Sequence, residues 1–298
     1  MKKLTITIGI PAFNEEGNLG NLLRDLSVQK TDSFIIKEII VASDASTDNT
    51  DNIAKQSQKV ILLRGEERKG VAEMQNKIFA HATGDVLILI NADTRIFDPL
   101  FIKKLSYFLK SSQSDLCSVW MRELPATNIL SNLLFFSMKL KTKIFEQFQN
   151  SKNVYACHGQ VRAFSKRLYK TTHFPSSIGE DAFSYFFCIS KGFTFKYTNS
   201  CEAFYQLPTT LGDHQKQSIR FHNSQKLLQK YFDSTMLKKE YTIPKSLLIK
   251  ECIKSLFLQP VSLFGYIGIA FYIKFFSLFS FSTSETWDIA KSSKIINI

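Results

Sequence analysis

The first 95 residues alternate between two hydrophobic patterns, one typical of buried strands and the other of amphipathic helices. Five consecutive apolar residues at 86–90 predict a strand that is buried on both faces. Leu19, Leu22, Leu23 and Leu26 have the spacing of one helix face. Such strand–helix units imply a parallel sheet covered by helices, with right-handed connections. The predicted strands are 6–11, 39–43, 60–63 and 86–90.

Three helices are predicted between these strands. Asn14 is in position to cap the first helix, with Glu15 and Glu16 in its first turn, where negative charge is favourable. The second helix spans 50–58. The third opens at Lys69-Gly70 and directs its periodic apolar residues toward the core.

Polar residues follow each predicted strand at the point where it ends. Because the carboxyl ends of parallel strands share one edge of the sheet, these residues are expected to converge on one crevice. Asn-Ala-Asp is also ordinary turn chemistry, but a carboxylate at this edge suits Mg²⁺ or Mn²⁺ that already carries phosphate. None of the segments is a glycine-rich dinucleotide or ATP loop, so they favour a nucleoside diphosphate. The segments are Asn14-Glu15-Glu16, Asp44-Ala45-Ser46-Thr47-Asp48, Lys69-Gly70 and Asn91-Ala92-Asp93.

The pattern loosens after Pro99, although helices and strands are still predicted. The helix at 129–148 is both apolar and basic, so it suits either a membrane surface or packing on the domain core. A strand pair is expected around Gly159, within 154–164. The other predicted helices are 101–109, 179–190 and 213–232, and the other strands are 116–121 and 193–197.

The C-terminal region contains 19 uncharged residues between Lys254 and Lys274. A bilayer span needs roughly 20 predominantly apolar residues. Gln259, Pro260 and two glycines interrupt the pattern, which favours a membrane-embedded or in-plane, hairpin-like segment. The alternative is a buried helix of a soluble fold.

Composition narrows the possible partners. Hydrophobic residues make up 44% of the 298 residues, and the net charge is +12 with a pI near 9.4. This charge favours an anionic partner, such as nucleic acid, anionic lipid or nucleoside diphosphate. The absence of zinc-finger and helix-turn-helix patterns places nucleic acid last. Five cysteines without a C-x-x-C pair indicate reduced thiols in a cytosolic compartment.

Four segments together resemble the N-terminal half of family 2 glycosyltransferases over residues 4–205. They are Pro11-Ala12-Phe13-Asn14-Glu15-Glu16, 41–48, Lys69-Gly70 with Asn76, and Asn91-Ala92-Asp93-Thr94. The resemblance implies an α/β fold of the GT-A type, a Rossmann-like, mostly parallel sheet flanked by helices. It also implies a nucleotide-diphosphate sugar as donor, with Mg²⁺ or Mn²⁺ as cofactor.

The resemblance also assigns residues to the donor site. Asp44 is implied to contact the nucleoside base, and Asp93 to be the metal-binding residue of a D-x-D element. Asn91 replaces the first Asp of that element, so one anionic ligand is lost and metal dependence is open. The other donor-site residues implied are Pro11, Phe13, Asn14, Glu15, Ser46, Lys69, Asn76, Asn91 and Ala92.

Two downstream segments extend the resemblance toward the acceptor. Glu180-Asp181 is similar to the family's E-D pair, which implies Asp181 as general base and Glu180 beside it; the alternative is a helix cap. Gln217-Ser218-Ile219-Arg220-Phe221 is similar to a Q-x-x-R-W element, in which Arg220 would neutralise the leaving diphosphate. His222 and His214 are candidates for a further metal ligand. The alternative for these residues is a solvated basic helix face. Residues 159–162 are similar to the glycine-containing acceptor-side loop.

The sequence therefore predicts an inverting, metal-assisted glycosyltransferase at the cytoplasmic face of the cell membrane, peripheral or single-span. Its acceptor would be a hydroxyl of a glycan or of a lipid-linked molecule, and its oligomeric state is open. The alternatives are a sugar-phosphate nucleotidyltransferase, disfavoured by a first loop without Gly or Lys, and an inactive, membrane-tethered nucleotide-sugar-binding module. The expected division is a catalytic domain at 1–205, a helical extension at 206–254, a membrane-associated segment at 255–282 and a tail at 283–298.

Overall fold

The structure is a computed structural model that describes residues 3–57, 59–277 and 291–293. Its strands are β1 (Leu4–Ala12), β2 (Phe34–Ser43), β3 (Val60–Arg64), β4 (Val86–Ile90), β5 (Thr94–Arg95), β6 (Leu116–Glu123), β7 (Val161–Ser165) and β8 (Phe195–Tyr205). Its helices are α1 (Leu19–Ser27), α2 (Thr50–Gln56), α3 (Val71–His81), α4 (Phe101–Ser111), α5 (Ile129–Gln147), α6 (Lys166–Tyr169), α7 (Glu180–Ser190), α8 (Leu211–Leu228), α9 (Ser234–Tyr241), α10 (Lys245–Leu258) and α11 (Pro260–Ser277).

The described strands form one sheet in the order β3-β2-β1-β4-β7-β6-β8-β5. The four strands from β3 to β4 are parallel to one another. β7 runs antiparallel to both β4 and β6, and β8 is parallel to β6. The expected α/β class, with a mostly parallel sheet flanked by helices, is confirmed. The parallel half places the carboxyl ends of β1, β2 and β4 at one edge.

β4 lies in the middle of the sheet, and each of its residues is at most 1% exposed. Val86, Ile88 and Ile90 pack on one face with α1 and α4. Leu87 and Leu89 pack on the other face with α3 and α7. An uninterrupted apolar strand fits this position because both of its faces are covered by helices. The prediction of a strand buried on both faces is confirmed.

The predicted cap of the first helix is wrong. α1 begins at Leu19 and its N-cap position is Asn18, with no acidic residue in the first turn. Asn14 instead has a φ of 51°, a left-handed conformation that asparagine tolerates. The backbone carbonyl of Glu15 accepts the N–H of Leu19 at 2.9 Å, so a separate turn precedes the helix.

The predicted strand pair around Gly159 is wrong in its first half. Only β7 forms there, whereas Val154–Ala156 is a short 3₁₀ turn. Asn153 caps this turn by accepting the N–H of Ala156 at 3.2 Å. A side-chain cap satisfies a backbone group that a strand would otherwise have paired.

The C-terminal apolar segment lies on two consecutive helices. α10 and α11 are separated at Gln259 and Pro260, where a proline begins the second helix. Both helices pack on α5: Leu263 of α11 joins a cluster with Phe136, Leu140 and Ile144 of α5, and the partly buried Leu247 and Leu248 of α10 pack against it. Among the described residues, no helix combines the length and the apolar character that crossing a bilayer requires. Residues 278–290 and 294–298, parts of the predicted segment and tail, lie outside the described residues.

Candidate active site

A cavity of about 390 Å³ opens at the carboxyl ends of β1, β2 and β4. The first turn of α7 and one side of α8 form the opposite wall. Ligands of open α/β sheets bind at this edge. The predicted site residues that line the cavity are Pro11, Phe13, Glu15, Asp44, Asn91, Ala92, Asp93, Glu180, Asp181 and Arg220.

Asp44 follows β2 and is only 3% exposed. Its carboxylate accepts the backbone N–H groups of Lys69 at 2.7 Å and Gly70 at 2.8 Å. Gly70 has a φ of 91°, which a side chain would make unfavourable. The loop before α3 therefore wraps around the carboxylate, which can still accept from a ligand because each oxygen has two lone pairs.

Lys69 contributes its backbone rather than its charge. Its ammonium pairs with Glu67 at 3.1 Å on the surface, and its side chain is 53% exposed. The neighbouring Arg68 lines the cavity instead and places its guanidinium 4.3 Å from the ring centre of Phe13. Sequence reasoning missed Arg68, although its position beside Lys69 was a usable signal.

Three predicted donor-site residues besides Lys69 also lie outside the cavity wall. Asn14 and Ser46 brace the loops that follow β1 and β2: Ser46 Oγ accepts the N–H of Asn14 at 3.2 Å, and Asn14 Oδ1 accepts the N–H of Thr47 at 2.9 Å. Asn76 holds the backbone of Phe174, with hydrogen bonds of 2.9 and 2.8 Å in the two directions. In the structure Asn76 thus makes a hydrogen-bonded contact within the fold, in place of the expected contact with the nucleotide-sugar donor.

Asp93 lines the cavity just after the end of β4. The turn that carries it is held by the N–H of Asn91, which donates to the carbonyl of Gln160 at 2.9 Å, and by Thr94, whose N–H donates to the carbonyl of Asn91 at 3.1 Å. Among the described residues, no group of three or more His, Cys, Asp or Glu side chains could hold a metal ion. Asp93 alone fits a divalent cation that is held largely by substrate phosphate oxygens.

The histidines proposed as metal ligands gain no support. The side chain of His222 lies outside the described part of the chain. Burial, together with the nearby charge of Lys141, lowers the pKa of His214 to about 4, and His214 does not line the cavity. Gln217, Arg220 and Phe221 of α8 do line it, and the Nε2 of Gln217 donates to Ser293 Oγ at 3.2 Å.

Glu180 and Asp181 occupy the first turn of α7, where the helix dipole favours carboxylates. Gly179, the residue before this turn, allows α8 to pack closely, because a Cβ there would lie 2.1 Å from Ser224 Oγ of α8. Gly159 lies on the other side, where a Cβ would be 3.4 Å from Glu180 Oε1. Burial and the charge of Asp181 raise the pKa of Glu180, against the opposing charge of Arg162.

Comparison with known proteins agrees with this architecture. A glucosyl-3-phosphoglycerate synthase of Mycolicibacterium smegmatis is 27% identical over 107 residues, which are 34% of this chain and 35% of that protein. The chain thus matches about a third of that relative's length.

Solved structures share the fold at low identity. A mannosyltransferase from Pyrobaculum calidifontis, in complex with GDP-Man and Mn²⁺, superposes with a TM-score of 0.63 at 16% identity, covering 93% of this chain and 84% of that chain. A glucosyl-3-phosphoglycerate synthase from Mycobacterium tuberculosis, in complex with Mn²⁺, UDP and glucosyl-3-phosphoglycerate, gives 0.56 at 19% identity, covering 78% and 82%. These similarities confirm the GT-A architecture. The family model for glycosyl transferase family 2 matches residues 7–172, more than half of the 298 residues, and the chain therefore belongs to glycosyl transferase family 2.

Proposed function

We propose that this protein is an inverting glycosyltransferase that moves a sugar from a nucleotide-diphosphate sugar to an acceptor hydroxyl. One observation carries the proposal: Asp93, the candidate metal ligand, and Asp181, the candidate base, line the same cavity. Asp93 follows the end of β4, and Asp181 lies in the first turn of α7. A donor and an acceptor could therefore meet between them.

The donor nucleotide would occupy the side of the cavity formed by the β1 and β2 ends. Asp44 accepts hydrogen bonds only, so it fits a base that presents an N–H group. The flat surface of Phe13 and Arg68 offers stacking to the same base. The mannosyltransferase solved with GDP-Man and Mn²⁺ supports a nucleotide-sugar donor with a divalent cation.

The transfer would be a single displacement at the anomeric carbon. The acceptor oxygen forms a bond to that carbon as the bond to the diphosphate oxygen breaks, which inverts the configuration. Asp181 takes the acceptor proton. Arg220 lies in the cavity wall and would balance negative charge on the departing diphosphate. A divalent cation at Asp93 would supply further stabilisation of that charge.

We also propose that the protein works at the cytoplasmic face of the membrane, held there peripherally by α10 and α11. Both helices present an apolar face on the side away from α5. Single exposed apolar residues are normal, but a large exposed apolar patch marks a site of interaction with a membrane or another molecule. Glu251 is their only acidic residue and is 3% exposed, whereas Lys245, Lys250, Lys254 and Lys274 accompany the apolar surface. This combination suits an anionic lipid surface. The exposed apolar and aromatic residues of the two helices are Ile249, Ile253, Leu256, Phe257, Leu258, Val261, Phe264, Ile267, Phe271, Tyr272 and Phe275.

A lipid-linked or membrane-bound glycan acceptor follows from that location. α8 connects the two features, because it lines the cavity with Gln217 and Arg220 and also packs against α11. An acceptor anchored in the bilayer would then reach Asp181 from the α8 side.

The decisive experiment compares donor binding with transfer. UDP-, GDP- and dTDP-sugars would be screened by thermal shift with and without Mn²⁺, and the best donor would be tested for transfer to lipid extracts and glycans. Asp181→Asn keeps the size and capping ability of the side chain but removes basicity, so transfer should fall by about 10²–10⁴-fold while donor affinity stays within twofold.

Glu180→Gln should be milder, and it serves as the matched control. If Asp181→Asn retains near wild-type turnover, Asp181 is a helix cap. If the wild-type chain binds a nucleotide sugar but neither hydrolyses nor transfers it, it is a binding module, the reading that Asn91 in place of the first Asp would favour.

A further inference from the structure

A charged side chain lies directly beneath the candidate base and has no part in the mechanism above. Arg162 of β7 is completely buried, with 0% of its surface exposed to solvent. It is the largest of the fully buried side chains among the described residues. It lies opposite Leu89 of β4 and Ser118 of β6 in the middle of the sheet. Burying a guanidinium is costly unless it is paired and hydrogen-bonded, so its contacts indicate what it does.

Arg162 holds the first turn of α7 from below. Its Nη1 donates to the backbone carbonyl of Glu180 and to Ser184 Oγ, each at 2.6 Å. Its Nη2 lies 3.8 Å from Glu180 Oε1. The same guanidinium therefore holds the backbone of the residue that precedes Asp181 by a hydrogen bond and forms a longer ion pair with its carboxylate.

Arg162 also reaches the donor half of the molecule. Its Nη2 donates to Gln75 Oε1 at 3.0 Å, and Gln75 is fully buried on α3. Val71 and Met74 of the same helix line the cavity. One planar guanidinium thus joins α3 on the donor side to α7 on the acceptor side. Lysine could not do so, because an ammonium on a flexible stem lacks the fork of donors.

We propose that Arg162 is a positioning residue that fixes the Glu180–Asp181 turn relative to the donor half of the cavity. This inference rests on the proposed transfer reaction, in which Asp181 must lie within hydrogen-bond reach of the acceptor hydroxyl. A displacement of about 1 Å at such a site can lower the rate by about 10²-fold. The contact of Arg162 with the backbone of Glu180 limits that displacement.

The test uses Arg162→Lys and Arg162→Met in the full chain. Arg95→Lys is a matched control, because Arg95 also pairs with a largely buried carboxylate, Asp25 at 2.7 Å, but does not line the cavity. The measurements are kcat, acceptor KM, donor Kd by calorimetry and thermal unfolding. Wild type and Asp181→Asn are assayed first, so that the transfer reaction is established independently.

Arg162→Lys should lower kcat by about 10–100-fold while donor Kd stays within twofold, and Arg162→Met should lower kcat further. Arg95→Lys should lower thermal stability but leave kcat within twofold. A folded Arg162→Lys variant with wild-type kcat overturns the inference, as does a parallel loss of donor affinity, which would indicate general loosening. If the methionine variant does not fold, the lysine variant decides. Absence of transfer by wild type would instead reject the proposed function.

Discussion

The carboxylate of Asp44 accepts the backbone N–H of Gly70 at 2.8 Å, 26 positions further along the chain. Its other oxygen accepts the N–H of Lys69 at 2.7 Å. The residue at the end of β2 therefore shapes the loop that carries Arg68 to the cavity. We therefore expect changes at Asp44 to act on the donor pocket in two ways, through the proposed contact with the nucleotide and through this loop.

We predict that Asp44→Ala weakens nucleotide binding with or without metal. Loss of a hydrogen bond to a charged group typically costs about 1.5–3 kcal/mol, which corresponds to a factor of about 10–150 in Kd. Calorimetry with UDP and GDP, each with and without Mn²⁺, measures this. Asp44→Asn should also weaken binding, because its NH₂ group cannot accept the loop N–H groups. Unchanged affinity in Asp44→Ala would rule out a direct nucleotide contact.

Asp93→Ala is predicted to remove mainly the metal-dependent part of donor binding. A second variant, Asn91→Asp, adds a carboxylate two positions before Asp93. It should tighten Mn²⁺-dependent binding, because added negative charge strengthens a divalent-cation site. Donor Kd would be measured across a Mn²⁺ titration for both variants. Metal-stimulated binding that survives Asp93→Ala would show that the metal assignment is wrong.

The exposed face of α10 and α11 should determine membrane binding. Phe257 and Phe271 are 81% and 71% exposed, so the double variant Phe257→Ser/Phe271→Ser should keep the thermal stability of the wild type. It should lower binding to anionic liposomes by tenfold or more, because burying each phenylalanine in the lipid would contribute about 1.5–3 kcal/mol. Added salt should weaken the binding of the wild-type protein to anionic liposomes, because it screens the attraction between lysines and lipid headgroups.

Leu263→Ser is the matched control, because Leu263 faces α5 and is 6% exposed. It should destabilise the fold rather than change liposome binding selectively. Wild-type protein that remains in the supernatant with anionic liposomes would contradict the membrane proposal.

Asp115 should make stability depend on pH. Burial raises the pKa of this carboxyl, but hydrogen bonds from Arg167, Ser165 and Thr194 outweigh it and lower the pKa below its ordinary value. A depressed folded-state pKa stabilises the protein above the unfolded pKa of about 3.9, and that stability is lost as the pH falls through the folded value.

Asp115→Asn should therefore lower the free energy of unfolding by about 1–3 kcal/mol near pH 7, with a difference from wild type that shrinks below about pH 4. Denaturant melts at pH 7, 5 and 3.5 measure this. A difference that is constant over this range would mean that the charge of Asp115 does not contribute.

The sequence by itself determined the parallel half of the sheet and the positions of the polar strand ends. The uninterrupted apolar residues at 86–90 require a strand that is buried on both faces. A parallel sheet then brings Asp44 and Asp93 to one edge, independently of the details of packing. A local signature placed Glu180 and Asp181 at a helix start, whereas their candidate role in catalysis came from the resemblance to the family's E-D pair. Local periodicity and chain direction suffice for these inferences.

Only the tertiary structure decided which side chains reach the cavity. Asn76 and Lys69 had the right sequence context, but one holds the backbone of Phe174 and the other pairs with Glu67 at the surface. Arg162 becomes significant only when β7 places it between Gln75 and Glu180, residues 87 and 18 positions away. Side-chain direction and long-range contacts depend on packing between distant segments, and no local pattern encodes them.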